Sequence, residues 1–440
     1  MRRLFGTDGI RGLAGAPPLD SATVSRVGRA LVRCLRKPGD GPVSVVVGCD
    51  PRESSAGIVA ALSGGIAAEG GSPVFAGVVP TPGVAYLART LGADAGVVVS
   101  ASHNPWRDNG IKLFSGAGRK LPDAVEAAVE REIAASHEAP PGRPEADPGL
   151  VQKYLDYLLG SVAHRLDGLS VVVDAANGAA SGVAPEAFRR AGAKVRATNV
   201  SPDGRNINEG CGALHPAAMA RAVVAAGADL GLALDGDADR VVMADGAGRL
   251  LDGDDVLYLW TLELEREGRK PDVVVGTVMS NFGLERALSD RGVTLLRAAV
   301  GDRYVVEEME RSGAVLGGEQ SGHLIHAARS TTGDGTLTGL AIAALVAASG
   351  APLAAQPRIE RTPQVLRNVR VREKPPFDSI PHLVEEQRRA EELLAGSGRV
   401  LLRYSGTEAL ARVMVEGADR DLVDSLAASL ARSLESAIGI

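Results

Sequence analysis

The sequence predicts an α/β protein of several units that ends in a small α+β domain, and three observations predict it. Short, almost wholly apolar runs that end in Gly or Asp recur at 43–50, 96–100, 169–178, 230–237 and 272–277, the pattern of strands covered by helices on both faces. Segments with helical spacing lie between them, at Ser54 to Glu69, Asp123 to Ala135 and Pro216 to Ala226. The chain has 440 residues, too many for one hydrophobic core, so two to four domains are expected.

In chain order, VSVVVGCD and GVVVS are the first two such strands, and SHEAPPGRPEADPG at 136–149 is a linker rich in Pro, Gly and charge. LSVVVDAANG and LGLALDGD follow, and VVMADGAGRLL at 241–251 reads as a hairpin around a DG turn. DVVVGT opens a third unit, in which LAIAALVAA at 340–348 is a buried helix, too short for a membrane span. RTPQVLRNVRVREKPPFDSIP at 361–381 reads as a second linker. The tail offers a helix over 382–394, strands at 399–404 and 411–417, and a helix from Arg420 onward.

Composition excludes several function classes. A net charge of -6 gives no general attraction to nucleic acid or to an anionic membrane, and 3% aromatic residues leave few stacking platforms. Cys34, Cys49 and Cys211 are odd in number and widely spaced, against a disulfide framework or a structural zinc site. MRRLFGTDGIRG lacks the apolar run of a secretory signal. The expectation is a soluble cytoplasmic protein that binds neither nucleic acid nor membrane.

Four segments carry chemistry. In LALDGDADR, Asp235, Asp237 and Asp239 alternate at the end of an apolar strand. Three carboxylates so close repel one another unless a cation neutralises them, and an all-oxygen set selects a hard ion such as Mg²⁺. The EF-hand pattern is excluded, since its sixth and twelfth positions are Arg240 and Gly246. In RYSGTEALAR, Arg403 with Ser405, Gly406 and Thr407 forms a plausible phosphate clamp, although a Ser-Gly-Thr turn explains that segment equally well by itself. In LGGEQSGH, Glu319 could grip two vicinal hydroxyls of a sugar; Gly-Gly-Glu also occurs in ordinary turns. Arg11 in FGTDGIRG and Arg303 in VGDRYV are single arginines that gain weight only in company.

The fourth segment is GVVVSASHNPWRDNGIKLF, which crowds polar groups behind an apolar run. Ser102 is a poor nucleophile without a base, and on extended backbone the adjacent His103 points to the opposite face. The G-x-S-x-G elbow of hydrolases is absent. A serine that carries a phosphoryl group beside a carboxylate-bound Mg²⁺ fits better, with Lys112 as acid or base.

VVVSASHNP, LDGDADR, GGEQSGH and RYSGTE, in this order, resemble the four active-site loops of the α-D-phosphohexomutase superfamily, and the likeness runs from Phe5 to Glu416. The resemblance implies three related α/β domains with mixed sheets and a mobile C-terminal α+β domain around a central cleft, here 1–150, 151–250, 251–362 and 363–440. It implies a phosphoserine at Ser102 that binds one Mg²⁺ per chain with Asp235, Asp237 and Asp239. Glu319 and Ser321 would hold sugar hydroxyls. Arg403, Ser405, Gly406, Thr407 and Arg412, with Arg303, would hold substrate, chiefly its unreacting phosphate. Lys112, His103, Arg11, Arg240 and His323 would assist catalysis. FGTDGIRG, GEQSGH and STTGDGTLTGL narrow the expectation to interconversion of glucosamine 6-phosphate and glucosamine 1-phosphate through a sugar 1,6-bisphosphate, by a homodimer.

Phosphomannomutase or phosphoglucomutase activity, or a Mg²⁺-dependent sugar phosphatase built on the same loops, are the alternatives. A silent sugar-phosphate sensor is disfavoured by the intact set of Ser102, Lys112 and three aspartates. Three positions depart from the family pattern. Cys49 and Ala299 stand where Lys or Arg is usual, implying weaker phosphate attraction, and Ala409 replaces a Pro, implying a looser clamp loop.

Overall fold

A computed structural model describes residues 4–6, 8–37, 39, 41–405 and 408–440. The first unit contains β1 (Ile10–Leu13), α1 (Ser21–Leu35), β2 (Ser44–Cys49), α2 (Ser55–Ala68), β3 (Ser72–Val78), α3 (Thr81–Thr90), β4 (Ala95–Val99), β5 (Asp108–Ser115) and α4 (Asp123–Ala135). After α5 (Pro148–Gly160), the second unit has β6 (Ser170–Asp174), α6 (Val183–Arg190), β7 (Lys194–Thr198), α7 (Ala217–Ala226), β8 (Leu230–Leu234), β9 (Val241–Asp245) and β10 (Leu250–Leu251). The third has α8 (Gly253–Arg266), β11 (Val273–Thr277), α9 (Phe282–Ser289), β12 (Thr294–Ala298), α10 (Asp302–Ser312), β13 (Leu316–Gly318), β14 (Leu324–His326) and α11 (Gly335–Ser349). The fourth has β15 (Gln364–Arg370), α12 (Pro381–Leu394), β16 (Gly398–Tyr404), β17 (Leu410–Gly417) and α13 (Arg420–Ile438).

The first three sheets repeat one design. Their strand orders are β1-β5-β4-β2-β3, β10-β9-β8-β6-β7 and β12-β11-β13-β14. In each, three parallel strands are followed by one antiparallel strand added through a hairpin: β4 to β5, β8 to β9, β13 to β14. The loops of these three equivalent hairpins carry Ser102, the aspartate triplet and Glu319. Equivalent topology therefore delivers three different chemistries to one place.

The cores are divided unequally. One continuous apolar cluster joins Val98 and Phe114 of the first unit to Phe188 and Leu232 of the second and Val274 and Leu340 of the third. The fourth unit packs its antiparallel sheet, ordered β15-β17-β16, against α12 and α13 around its own cluster of Val369, Val413 and Leu430. The helix expected at 340–348 is the buried body of α11, capped by Asp334 through the Leu337 N–H. No helix among the described residues is long and apolar enough to cross a membrane.

The segment 136–149 is tied down rather than loose. Ser25 exchanges hydrogen bonds with the Ala139 backbone, and Gly142 N–H donates to Ala60 O. The segment 361–381 corrects the sequence expectation, because it contains strand β15, paired with β17 over Gln364 to Arg370. It is an edge strand whose outward Leu366 and Asn368 are exposed, and its prolines and charges obscured the alternation that buries Val369 and Val371.

Candidate active site

Strand β4 is buried at every position and delivers Ser100 to Ser102 to the end of its sheet. Ser102 adopts a left-handed backbone, φ 51°, unusual for a residue with a side chain. Its surroundings over-determine that conformation. Ser102 N–H donates to Ser100 Oγ at 2.9 Å, and Ser102 O accepts from Arg52 Nη2 at 3.2 Å and Asn208 Nδ2 at 2.9 Å. Arg52 is paired to Asp50 at 2.5 Å with both side chains fully buried, and Asp50 also accepts from the Ser55 and Ser100 hydroxyls. Burial raises the Asp50 carboxyl, while Arg52 and Ser100 pull it back toward the charged form.

The left-handed turn also overturns the expectation that His103 points away from Ser102. That expectation assumed extended backbone; with φ positive, His103 Nδ1 lies 3.3 Å from Ser102 Oγ. Burial, then Arg240 and Arg11, push the imidazole down to about 4, so it is neutral at pH 7.

Across the cleft, the β8–β9 loop places carboxylate oxygens of Asp235, Asp237 and Asp239 within 4.8 Å of one another, all buried. Asp235 Oδ2 accepts from Ser102 Oγ at 2.6 Å, and its Oδ1 accepts from Arg240 N at 3.2 Å. Burial, then its neighbours Asp239 and Asp237, raise Asp235 to about 8. Asp237 Oδ2 accepts from Thr81 Oγ1 at 2.5 Å and from Lys112 Nζ at 2.8 Å. Asp237 Oδ1 and Asp239 Oδ1 are buried with no hydrogen-bond partner among the described residues, Arg240 Nε standing 3.9 Å from the latter. Two orphaned oxygens in a hard, all-oxygen set fit a divalent cation such as Mg²⁺.

Lys112, on β5 opposite Val98, is 2% exposed and meets Asp237, Asp239 at 3.4 Å and Asp8 at 3.2 Å. Burial opposes its charge, but Asp237, Asp8 and Asp239 outweigh it and hold the ammonium well above its usual range. Asp239 is the mirror case: burial opposes its charge, and Lys112, His323 and Arg240 hold it well below the carboxylate range. His323 Nδ1 lies 3.6 Å from Asp239 Oδ2, and its Nε2 accepts from Gly333 N–H at 3.0 Å. Burial opposes charge on His323, but Asp239, Asp302 and Glu319 outweigh it and raise its pKa, while the Gly333 N–H, donating to Nε2, opposes a second ring proton.

His103, Asp235, Asp239, Glu319 and His323 line a cleft between the first three units, with Ser102, Lys112 and Asp237 buried behind them. A cavity of about 610 Å³ is lined by Asp8, Arg11, His103, Asp239, Glu319 and His323 among others, and an adjoining one of about 670 Å³ by Asp235, Arg240, Thr277, Met279 and Ser321. Glu319 accepts from Gly301 N–H at 2.9 Å and from Ser321 Oγ at 3.4 Å, which aims its carboxylate along the cleft wall.

Other expected site residues lie elsewhere. Arg303 donates to Leu121 O at 3.2 Å and pairs with Asp123 and Glu126 of α4, so it joins the third unit to the first and lines neither cavity. Arg403 and Arg412 are cross-strand neighbours on β16 and β17, each with a buried Nε that has no hydrogen-bond partner among the described residues, and Ser405 O accepts from Lys374 at 2.5 Å. Neither cavity is lined by Arg403, Ser405 or Arg412. Gly406 and Thr407 lie outside the described residues. Cys49 is buried with Sγ 3.7 Å from Gly77 O, and burial pushes its thiol up to about 12, so its side chain faces the core rather than the cleft. Ala299 and Ala409 are exposed.

Sequence reasoning missed Asp50, Arg52, Thr81, Asn208, Asp8 and Lys120. Asp8 pairs with Arg11, Lys112 and Lys120, and Lys120 continues to Asp302 at 2.5 Å. The polar run DPRES directly after an apolar strand was the available signal for Asp50 and Arg52; Thr81 and Asn208 carried none.

Comparison with known proteins follows this geometry. Models described as phosphoglucomutase/phosphomannomutase alpha/beta/alpha domains I, II and III match residues 2–140, 152–248 and 252–359, and the C-terminal domain matches 366–433. A phosphoglucosamine mutase from Anaeromyxobacter dehalogenans is 47% identical over 100% of both chains. A phosphoglucomutase/phosphomannomutase family protein from Burkholderia thailandensis superposes with a TM-score of 0.83 at 25% identity over 100% of both chains. An Aspergillus fumigatus N-acetylphosphoglucosamine mutase, solved with GlcNAc-6P and magnesium, gives 0.67 at 19% identity, covering 98% of this chain and 95% of its own.

Proposed function

Because the chain belongs to the phosphoglucomutase/phosphomannomutase family, we infer that it interconverts glucosamine 6-phosphate and glucosamine 1-phosphate by phosphoryl exchange with Ser102. The observation that carries this reading is the contact of 2.6 Å between Ser102 Oγ and Asp235 inside the aspartate triplet. The choice of an aminosugar rests on the relatives' activity, of which the Anaeromyxobacter enzyme is one.

Asp235, Asp237 and Asp239 would hold one Mg²⁺ together with an oxygen of phosphorylated Ser102. Bound there, the ion would neutralise charge on the transferring phosphoryl group and lower its barrier by several kcal/mol. The chain's own groups do the rest. O1 of the sugar attacks the phosphorus of phosphoserine, the P–Oγ bond breaks, and a 1,6-bisphosphate forms. Neutral His103 can accept the O1 proton, while charged Lys112 can only donate, so the two divide acid and base work. The bisphosphate turns around and its 6-phosphoryl returns to Ser102. Arg403, Arg412 and Ser405, with Gly406 and Thr407, would hold whichever phosphate is not reacting. Glu319 and Ser321 would hold sugar hydroxyls, Arg11 and Arg240 would supply positive charge along the cleft, and His323 would steady Asp239. A small phosphosugar is the partner, and a cytoplasmic homodimer belongs to the same reading.

The test is kcat/KM for glucosamine, glucose and mannose 6-phosphates, together with the intact mass of the protein after treatment with a sugar bisphosphate. A preference for the aminosugar and one added phosphoryl group are expected. Preference for glucose or mannose would reassign the substrate, and net release of inorganic phosphate would make the protein a phosphatase.

A further inference from the structure

The fourth unit has its own core, so its orientation relative to the other three depends on the contacts that join it to the third. One of these is buried and specific. Glu416 on β17 is fully buried; its Oε1 accepts from Asn281 Nδ2 at 3.2 Å and Phe282 N–H at 3.4 Å, and its Oε2 accepts from Arg399 Nε at 2.6 Å. Arg399 reaches back with Nη2 to Ser280 O at 2.9 Å. Asn281 also exchanges hydrogen bonds with the Thr362 backbone in the connection between the two units.

Both ends of this contact lead to residues that the mutase reading uses. On one side, Arg399 and Glu416 are cross-strand partners, and so are Arg403 and Arg412 four residues farther along the same two strands. A spacing of four in a strand keeps side chains on one face, so the interdomain anchor and the arginines lie on one rigid surface about 13 Å apart. On the other side, Thr277 and Met279 line the cleft, and the next two residues, Ser280 and Asn281, grip the fourth unit. Asn281 N–H donates to Asp254 at 2.8 Å in the first turn of α8. The preceding residue, Gly253, packs so close to the Glu319 loop that a Cβ there would lie 2.0 Å from Glu319 O.

We propose that Asn281 and Glu416 are positioning residues for the mutase reaction: their contact fixes the angle at which Arg403 and Arg412 reach the unreacting phosphate, and couples it to the sugar-binding loop. This rests on the mutase reading above. Glu416→Gln keeps the shape but weakens the pairing with Arg399, and Asn281→Asp sets one carboxylate against another.

The test uses phosphorylated full-length enzyme and two acceptors, glucosamine 6-phosphate and free glucosamine, which has no phosphate for the arginines to hold. Both variants are expected to raise KM for glucosamine 6-phosphate about tenfold and to release more 1,6-bisphosphate per turnover, while phosphoryl transfer from Ser102 to free glucosamine stays within about twofold of wild type. If transfer to both acceptors falls equally, or neither KM nor bisphosphate release changes in a folded variant, the proposal is overturned. Failure of the wild-type protein to become phosphorylated at all would instead sink the mutase reading.

Discussion

Ser102 and Asp235, 133 residues apart in sequence, meet through a buried hydrogen bond of 2.6 Å. The hydroxyl donates to an aspartate whose carboxyl is raised, to about 8, by burial and by its two acidic neighbours. A carboxyl raised in this way is one whose charged form the protein leaves short of positive partners, and a bound cation would supply one.

Ser102→Ala is expected to abolish turnover and the added phosphoryl mass seen after sugar bisphosphate treatment. Because the fold around residue 102 is held by backbone groups, through Arg52 and Asn208, thermal stability should change little. Loss of activity with retained phosphorylation would relocate the phosphoryl carrier.

Asp237→Ala removes an oxygen that is paired to Lys112 and Thr81 and a second that has no partner. Turnover is expected to fall by about three decades or more, since charge neutralisation of the transferring group is lost. Calorimetric titration should show Mg²⁺ binding to the wild type and not to the variant; normal binding in the variant would remove Asp237 from the metal set.

Lys112→Met takes a cation from the buried carboxylates of Asp237 and Asp239, and from Asp8, which keeps Arg11 and Lys120. In metal-free buffer the loss of stability should be about 3 kcal/mol or more, because uncompensated buried charge is costly. Adding Mg²⁺ should recover a larger part of the melting temperature in Lys112→Met than in wild type, and an equal shift in both would argue that Lys112 and the cation do not share these carboxylates.

Asp334 is buried under Tyr154, whose hydroxyl donates to it at 2.9 Å, and burial raises its carboxyl to about 6. A carboxyl raised on folding binds its proton more tightly in the native state. Its stabilising contribution is therefore complete below about 4 and is lost as pH rises through about 6, up to roughly 3 kcal/mol. Asp334→Asn, which can still cap α11, should flatten urea-unfolding stability between pH 4 and pH 6 on the order of that amount. An unchanged slope would place the pH dependence elsewhere.

Arg303→Ala tests the departure from the sequence expectation. With Arg303 tied to Leu121, Asp123 and Glu126, the variant should lose about 1 kcal/mol of stability and keep KM within about twofold. A large rise in KM with unchanged stability would return Arg303 to the substrate.

The sequence alone determined the units that local pattern specifies: apolar runs for buried strands, the buried helix at 340–348, the hairpin at 241–251, and a dense aspartate triplet able to hold a cation. These features are legible because every residue that defines them lies within a few positions of the others. Tertiary structure decided what depends on distant residues. The left-handed turn at Ser102 is imposed by Arg52 and Asn208, and it brought His103 to the serine that extended backbone would have turned away. The same is true of Lys112, whose charge is set by Asp8 and the triplet, and of Arg303, which α4 captures. Strand β15 also needed its partner β17 to be recognised among prolines and charges. Hydrophobic periodicity is written into neighbouring residues, whereas orientation, charge state and pairing belong to whichever groups the fold packs against them.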